Sequence, residues 1–76
     1  SNLVHVHISS KKLNPKAIFE LAASVSQSGA NIKRVTRLAS DPLTVIEFLI
    51  SGATKETLSQ ALPPIALSKS AEITVQ

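Results

Sequence analysis

Apolar residues in this chain switch between two spacings, and the switches divide it into six segments. Leu3–Ser9 alternates strictly, with Val4, Val6 and Ile8 on one face and Leu3, His5 and His7 on the other. That pattern predicts a strand with one face in a core. Ser10–Leu13 reads as a polar, lysine-bearing loop. Asn14-Pro15 then has the form of a helix start, with Asn as N-cap and Pro at the first helical position, where its missing N–H costs nothing. Ile18, Leu21, Ala22 and Val25 follow at helical spacing, with Lys16, Glu20, Ser24 and Gln27 directed outward, and Gly29 supplies a left-handed stop.

The second half repeats the alternation of periods. Asn31–Ser40 carries Ile32, Val35, Thr36 and Leu38, a spacing that breaks a period of two and calls for a bulge or a late start to the strand. Asp41-Pro42 predicts a turn. Leu43–Ser51 directs Ile46, Phe48 and Ile50 inward and Val45, Glu47 and Leu49 outward, so the two strands form an antiparallel hairpin. After the Gly52-Ala53 break, Thr54 is placed to cap a second helix with a stripe of Leu58, Ala61, Leu62 and Ile65. Pro63-Pro64 lies inside that stripe, and an interior proline costs about 3 kcal/mol. The helix is therefore expected to stop near Leu62, with a short turn from Pro64 to about Ser68. Ala71–Gln76 alternates again, with Ile73 and Val75 inward, and ends on a strand as a domain excised from a longer chain would.

The order β-α-β-β-α-β predicts an α+β, ferredoxin-like βαββαβ fold: a four-stranded antiparallel sheet with two helices on one face. The other face, with His5, His7, Val45, Glu47 and Leu49, is left uncovered and mixed in character, which points to an oligomer or a neighbouring domain. Seventy-six residues make one small domain over 3–76. Ser1-Asn2 reads as an expression remnant.

Composition removes several function classes. With no cysteine there is no disulfide framework, thiolate metal site or thiol nucleophile. Two phenylalanines are the only aromatics, too few for a base-stacking platform. The formal charge of +3 is mild. Lys11, Lys12 and Lys16 near one loop, and Lys33, Arg34 and Arg37 on one strand, are the only basic clusters that would support nucleic-acid binding. No apolar run approaches the ~20 residues of a membrane span, and no signal-peptide pattern is present. A cytoplasmic location is expected.

Candidate chemistry is sparse. His5 and His7 point the same way from one strand and, with Glu47, would supply three metal ligands, although two half-exposed surface histidines are the simpler expectation. Ser9, Ser10, Lys11, Lys12, Asn14 and Lys16 surround the start of the first helix, where free N–H groups and the helix dipole favour an anion. An ordinary solvated cap explains the same residues. No serine has a Gly-x-Ser-x-Gly setting, and Asp41 and Glu47 form no acid–base pair, so no catalytic residue is assigned.

Among users of this fold, the residues exclude the heavy-metal transport type, which needs Cys-x-x-Cys. They also exclude RNA-recognition motifs and acylphosphatases. Gly29-Ala30-Asn31-Ile32 resembles the Gly-x-Asn-Ile step of ACT domains, the amino-acid-sensing regulatory modules. Together with Ser40-Asp41-Pro42-Leu43 and Ile46-Glu47-Phe48, it is similar to the second ACT-like domain of bacterial phosphoserine phosphatases.

The resemblance implies a non-catalytic regulatory domain of an enzyme of L-serine biosynthesis. Its catalytic Asp-x-Asp-x-Thr motif, and the Mg²⁺ expected with it, would lie elsewhere in the parent. Asn31 corresponds to the ligand-contacting asparagine of serine-sensing members, and Leu13 and Asn14 to the first-loop side of the same site. Pro15 matches the family's Pro-Gly step, but Lys16 stands in place of its glycine, which shifts weight toward dimerisation and scaffolding. The implied partners are a second copy or sister ACT domain, and an amino-acid effector such as serine. A structural interaction module without a ligand, and a weak anion or nucleic-acid binder, are the rival readings.

Overall fold

In a computed structural model the elements run β1 (Val4–Ser10), α1 (Pro15–Gln27), β2 (Asn31–Ala39), β3 (Thr44–Ser51), α2 (Lys55–Ser68) and β4 (Glu72–Val75). The structure describes residues 3–11, 13–68 and 71–76, with the backbone alone for 63–68; Ser1-Asn2 and Lys12 lie outside them. The four strands form one sheet in the order β2-β3-β1-β4, with antiparallel neighbours throughout. This is the expected ferredoxin-like arrangement. Among the described residues no helix is long and apolar enough to cross a membrane.

The alternation in β1 and β3 becomes the floor of the core. Val6, Ile8, Phe48 and Ile50 are completely buried, and Val6 pairs with Phe48 and Ile8 with Ile46 across the ladder. Leu21 and Val25 of α1, with Leu58 and Leu62 of α2, close over them. Each fully buried side chain of this size contributes about 1.5–3 kcal/mol. The α1 stripe is turned slightly from its expected position: Ala17 is buried, while Ile18 and Ala22 pack at the margin of the core.

Both helix starts are capped by side chains. Asn14 Oδ1 accepts the Ala17 N–H at 2.8 Å. Thr54 Oγ1 accepts the Thr57 N–H at 3.1 Å, while Thr57 Oγ1 accepts the Thr54 N–H at 3.2 Å, a reciprocal box built from two threonines. Gly29 (φ +91°) ends α1 in the left-handed region, as its position suggests.

Two expectations are corrected. The second helix does not stop near Leu62; α2 continues through Pro63-Pro64 to Ser68. Proline removes an N–H but keeps a helical φ, and the two carbonyls left without donors belong to Ser59 and Gln60, which are exposed and open to water. Ala61, expected in the stripe, is exposed; Ile65 lies among the residues described by backbone alone. The second strand takes its bulge, but as two register shifts, between Ile32 and Arg34 and between Arg37 and Ala39. The hairpin pairs as expected, and its Asp41–Pro42 peptide is cis.

Candidate functional site

The two rims of the sheet carry different parts of the expected ligand site. One rim holds the end of β1, the start of α1 and the β2–β3 turn, because Ser10 pairs with Thr44. The other holds Gly29, Asn31 and the start of α2, because Asn31 pairs with Ser51. Leu13 is buried, and Asn14 is exposed, with its Oδ1 engaged in the cap. That engagement leaves the Asn14 amide N–H₂ as the group able to donate to a ligand. Asn31 is exposed at the opposite rim; a Cβ added to Gly52 would come within 3.5 Å of its Nδ2. The thirteen residues of α1 separate the two asparagines, a span of about 20 Å at 1.5 Å per residue. Within one copy, Leu13 and Asn14 are therefore not brought together with Asn31.

The start of α1 keeps its electrostatic vacancy. Its first turn contains no acidic residue and one exposed lysine, Lys16, so no carboxylate of that turn offsets the positive end of the helix dipole.

On the uncovered sheet face the structure does assemble the histidine cluster. Glu47 Oε2 lies 2.7 Å from His7 Nε2 and 3.5 Å from His5 Nδ1. The hydrogen bond from His7 holds the Glu47 carboxyl below the ordinary carboxylate pKa, against an opposing push from partial burial and with smaller help from His5. One carboxylate therefore ties β1 to β3 through both imidazoles. Among the described residues no group of three His, Asp or Glu side chains is placed to hold a metal ion. The Mg²⁺ expected for a parent phosphatase thus finds no fitting donor set among them.

The basic residues of β2 do not share a surface. Arg34 pairs with Leu49 and lies on the uncovered face, Arg37 pairs with Ile46 on the opposite face, and Lys33 falls in the first register shift. This division removes the single basic stripe that nucleic-acid binding would use. Val35 and Leu38, on the same strand, are 47% and 52% exposed.

Two features escaped the sequence reading. Phe19 is 73% exposed on the outer side of α1, a position that its one-residue offset from the Ile18 stripe would have indicated on a helical wheel. A hollow of about 280 Å³ lies beside the α1 C-terminus and the α2 N-terminus, lined by Ser28, Gly52, Ala53, Thr54, Leu58 and Ala61. Apart from Ser28 its lining comes from residues 52–61, and the recess forms only where that stretch meets the end of α1, which no local pattern announces.

Comparisons with known proteins agree with this architecture. A phosphoserine phosphatase of Streptomyces coelicolor is 40% identical over 63 residues, covering 83% of this chain and 15% of that protein. The chain therefore spans about 15% of the length of that curated relative. Among solved structures, an ACT domain protein from Streptococcus pneumoniae superposes with a TM-score of 0.83 at 12% identity, covering 97% of this chain and 86% of that one. A formyltetrahydrofolate deformylase from Burkholderia mallei gives a TM-score of 0.80 at 9% identity, covering 100% of this chain and 28% of that one. At such identities these two show the fold alone. A family model described as ACT domain matches residues 4–76; with the βαββαβ sheet and its one-sided helices, the chain belongs to the ACT domain family, the regulatory domains related here to phosphoserine phosphatase.

Proposed function

We propose that this chain is a non-catalytic regulatory domain of a phosphoserine phosphatase of L-serine biosynthesis. It would associate through β2 and take a small amino acid, such as serine, at a site shared between two copies. The observation that carries the reading is the placement of Asn14 and Asn31 at opposite ends of α1. A two-fold axis through the middle of β2, near Val35, would pair the β2 edges of two copies antiparallel. It would also carry Asn31 of each copy to the rim that holds Leu13 and Asn14 of the other. A site that is split within one copy becomes complete across that contact.

The chemistry at the first rim suits an amino-acid carboxylate. The start of α1, with no acidic residue in its first turn, Lys16 and the Asn14 amide N–H₂ all favour a negative group. Asn31 offers both a donor and an acceptor to the rest of the ligand. The exposed Val35 and Leu38 supply apolar surface for the edge contact. Lys33, Arg34 and Arg37 place like charges on it, so the association should strengthen with added salt. The 40% identity to a phosphoserine phosphatase supports the parent assignment. Its catalytic domain and Mg²⁺ would lie beyond these residues, and a cytoplasmic location would follow from such a parent.

Calorimetry with L-serine at millimolar concentration tests the ligand. Heat and a raised melting temperature are expected, and both should be lost in Asn31→Ala. Absence of heat in a demonstrably dimeric sample would overturn sensing, leaving an association module without a ligand, the reading that Lys16 in place of the family's glycine favours.

A further inference from the structure

Three cations stand on the strand whose edge is open, and the register sorts them between faces. Arg34, Val35, Thr36 and Arg37 form the regular stretch of β2, facing Leu49, Phe48, Glu47 and Ile46 in turn between the two register shifts. Arg34 and Thr36 therefore share the uncovered face, and Arg37 lies on the helical one. Arg34 is exposed and Thr36 half-buried. Among the described residues no ion pair within the chain engages Lys33, Arg34 or Arg37. Glu47, the cross-strand partner of Thr36, turns its carboxylate to His7 and His5 on β1, away from the edge.

The edge pairing proposed above, on which this inference rests, gathers these groups. With Val35 set against Val35 of the second copy, Arg34 of each chain lies opposite Thr36 of the other. Two arginines and two threonines then alternate around the two-fold axis on one face of the joined sheet. The arginines are diagonal neighbours, about 7–8 Å apart at their bases, a gap that long side chains span. Left alone, like charges so placed oppose the pairing. We propose that this seam binds a tetrahedral oxyanion, inorganic phosphate, between the two Arg34 side chains, and that the anion promotes self-association.

The donor set suits that ligand. Each guanidinium is a planar fork able to take two oxygens of one phosphate, and each Thr36 adds a hydroxyl donor. A divalent ion offsets both positive charges, so the repulsion is removed as the contacts form. A tetrahedral oxyanion can present equivalent oxygens to equivalent arginines, as an isologous site requires. One copy carries half of the set, so the ligand favours the paired state by mass action. The site lies at the middle of β2, apart from the amino-acid site at the rims.

Sedimentation across a concentration series tests the proposal. Millimolar inorganic phosphate is expected to lower the dimer Kd about fivefold below its value in chloride at the same ionic strength, where screening is equal. Arg34→Gln should tighten the dimer in chloride, by removing opposed charges, and erase the advantage of phosphate. Arg34→Lys keeps the charge without the fork and should retain only a small part of that advantage. Arg37→Gln, on the opposite face, should keep it in full. Both arginines are exposed, and unchanged melting curves establish that the fold persists. O-phosphoserine at the same concentration distinguishes the free ion from an ester: a weaker effect is expected, and an equal or stronger one would overturn the free ion as the ligand. A dimer that responds alike to phosphate and chloride, or a phosphate advantage that survives Arg34→Gln, would overturn the site and leave edge pairing intact. A chain monomeric in both salts would overturn edge pairing and the site with it.

Discussion

The centre and the edge of the sheet use the same residue types and reach opposite ends. In β1 and β3, Val6, Ile8, Phe48 and Ile50 are fully buried. In β2, Val35 pairs directly with Phe48, on the same face of the sheet, yet remains 47% exposed. The difference is not hydrophobicity. A central strand has neighbours on both sides and helices above it, whereas the outer flank of an edge strand meets only solvent. Natural edges are usually blunted, and β2 shows the devices: two register shifts and three cations. It nevertheless keeps two large apolar side chains uncovered, and that apolar surface is what the proposed association through β2 would use.

Truncation at the two positions gives the widest separation. Phe48→Ala should cost about 3–5 kcal/mol through lost burial and a residual cavity, enough to unfold much of a population of so small a domain, as read by chemical denaturation. Val35→Ala, one strand away, should change monomer stability by no more than about 0.5 kcal/mol. If the two variants melted alike, the distinction between centre and edge would fail.

A charge at the edge sharpens the comparison from the other side. Val35→Lys should leave the melting temperature of the monomer close to that of the parent chain. It should weaken self-association about tenfold or more, measured by sedimentation across a concentration series. Unchanged association would move the contact away from β2.

The smallest effect concerns the polar side of the centre, where Glu47 joins His7 and His5. A carboxyl whose pKa is lower in the folded chain contributes stability that is complete above its ordinary value of 4.5 and disappears as the pH falls through the lowered value. The melting temperature should therefore decline over that acidic interval, and Glu47→Gln should flatten the decline. An identical acid profile in Glu47→Gln would remove the pair from the account.

How far these features were legible varies with the range of the interactions behind them. The strands, α1 and both caps follow from local rules, because a period of two, a helical stripe, Asn14-Pro15 and Thr54 each act within a few residues. The end of α2 was misjudged for the same reason. A proline penalty is a local cost, and continuation to Ser68 is decided by what the whole helix packs against. Ala17 shows a milder case, since a rotation of a few tens of degrees exchanges which flank of a stripe is deepest.

Of the candidate site, Asn14 could be placed from its capping sequence, and its cap is present. That Asn14 and Asn31 stand at opposite rims required the strand register. The same register divides Arg34 from Arg37 and brings Glu47 to the two histidines.

By itself, then, the order of residues determined six elements, their succession and the inward faces of β1, β3 and β4, because backbone geometry converts a period of two directly into sidedness. Only the tertiary structure decided which strand became an edge, how long the second helix ran, and which distant side chains share a rim or a hollow. Those depend on pairing between segments tens of residues apart, and no spacing along the chain records that pairing.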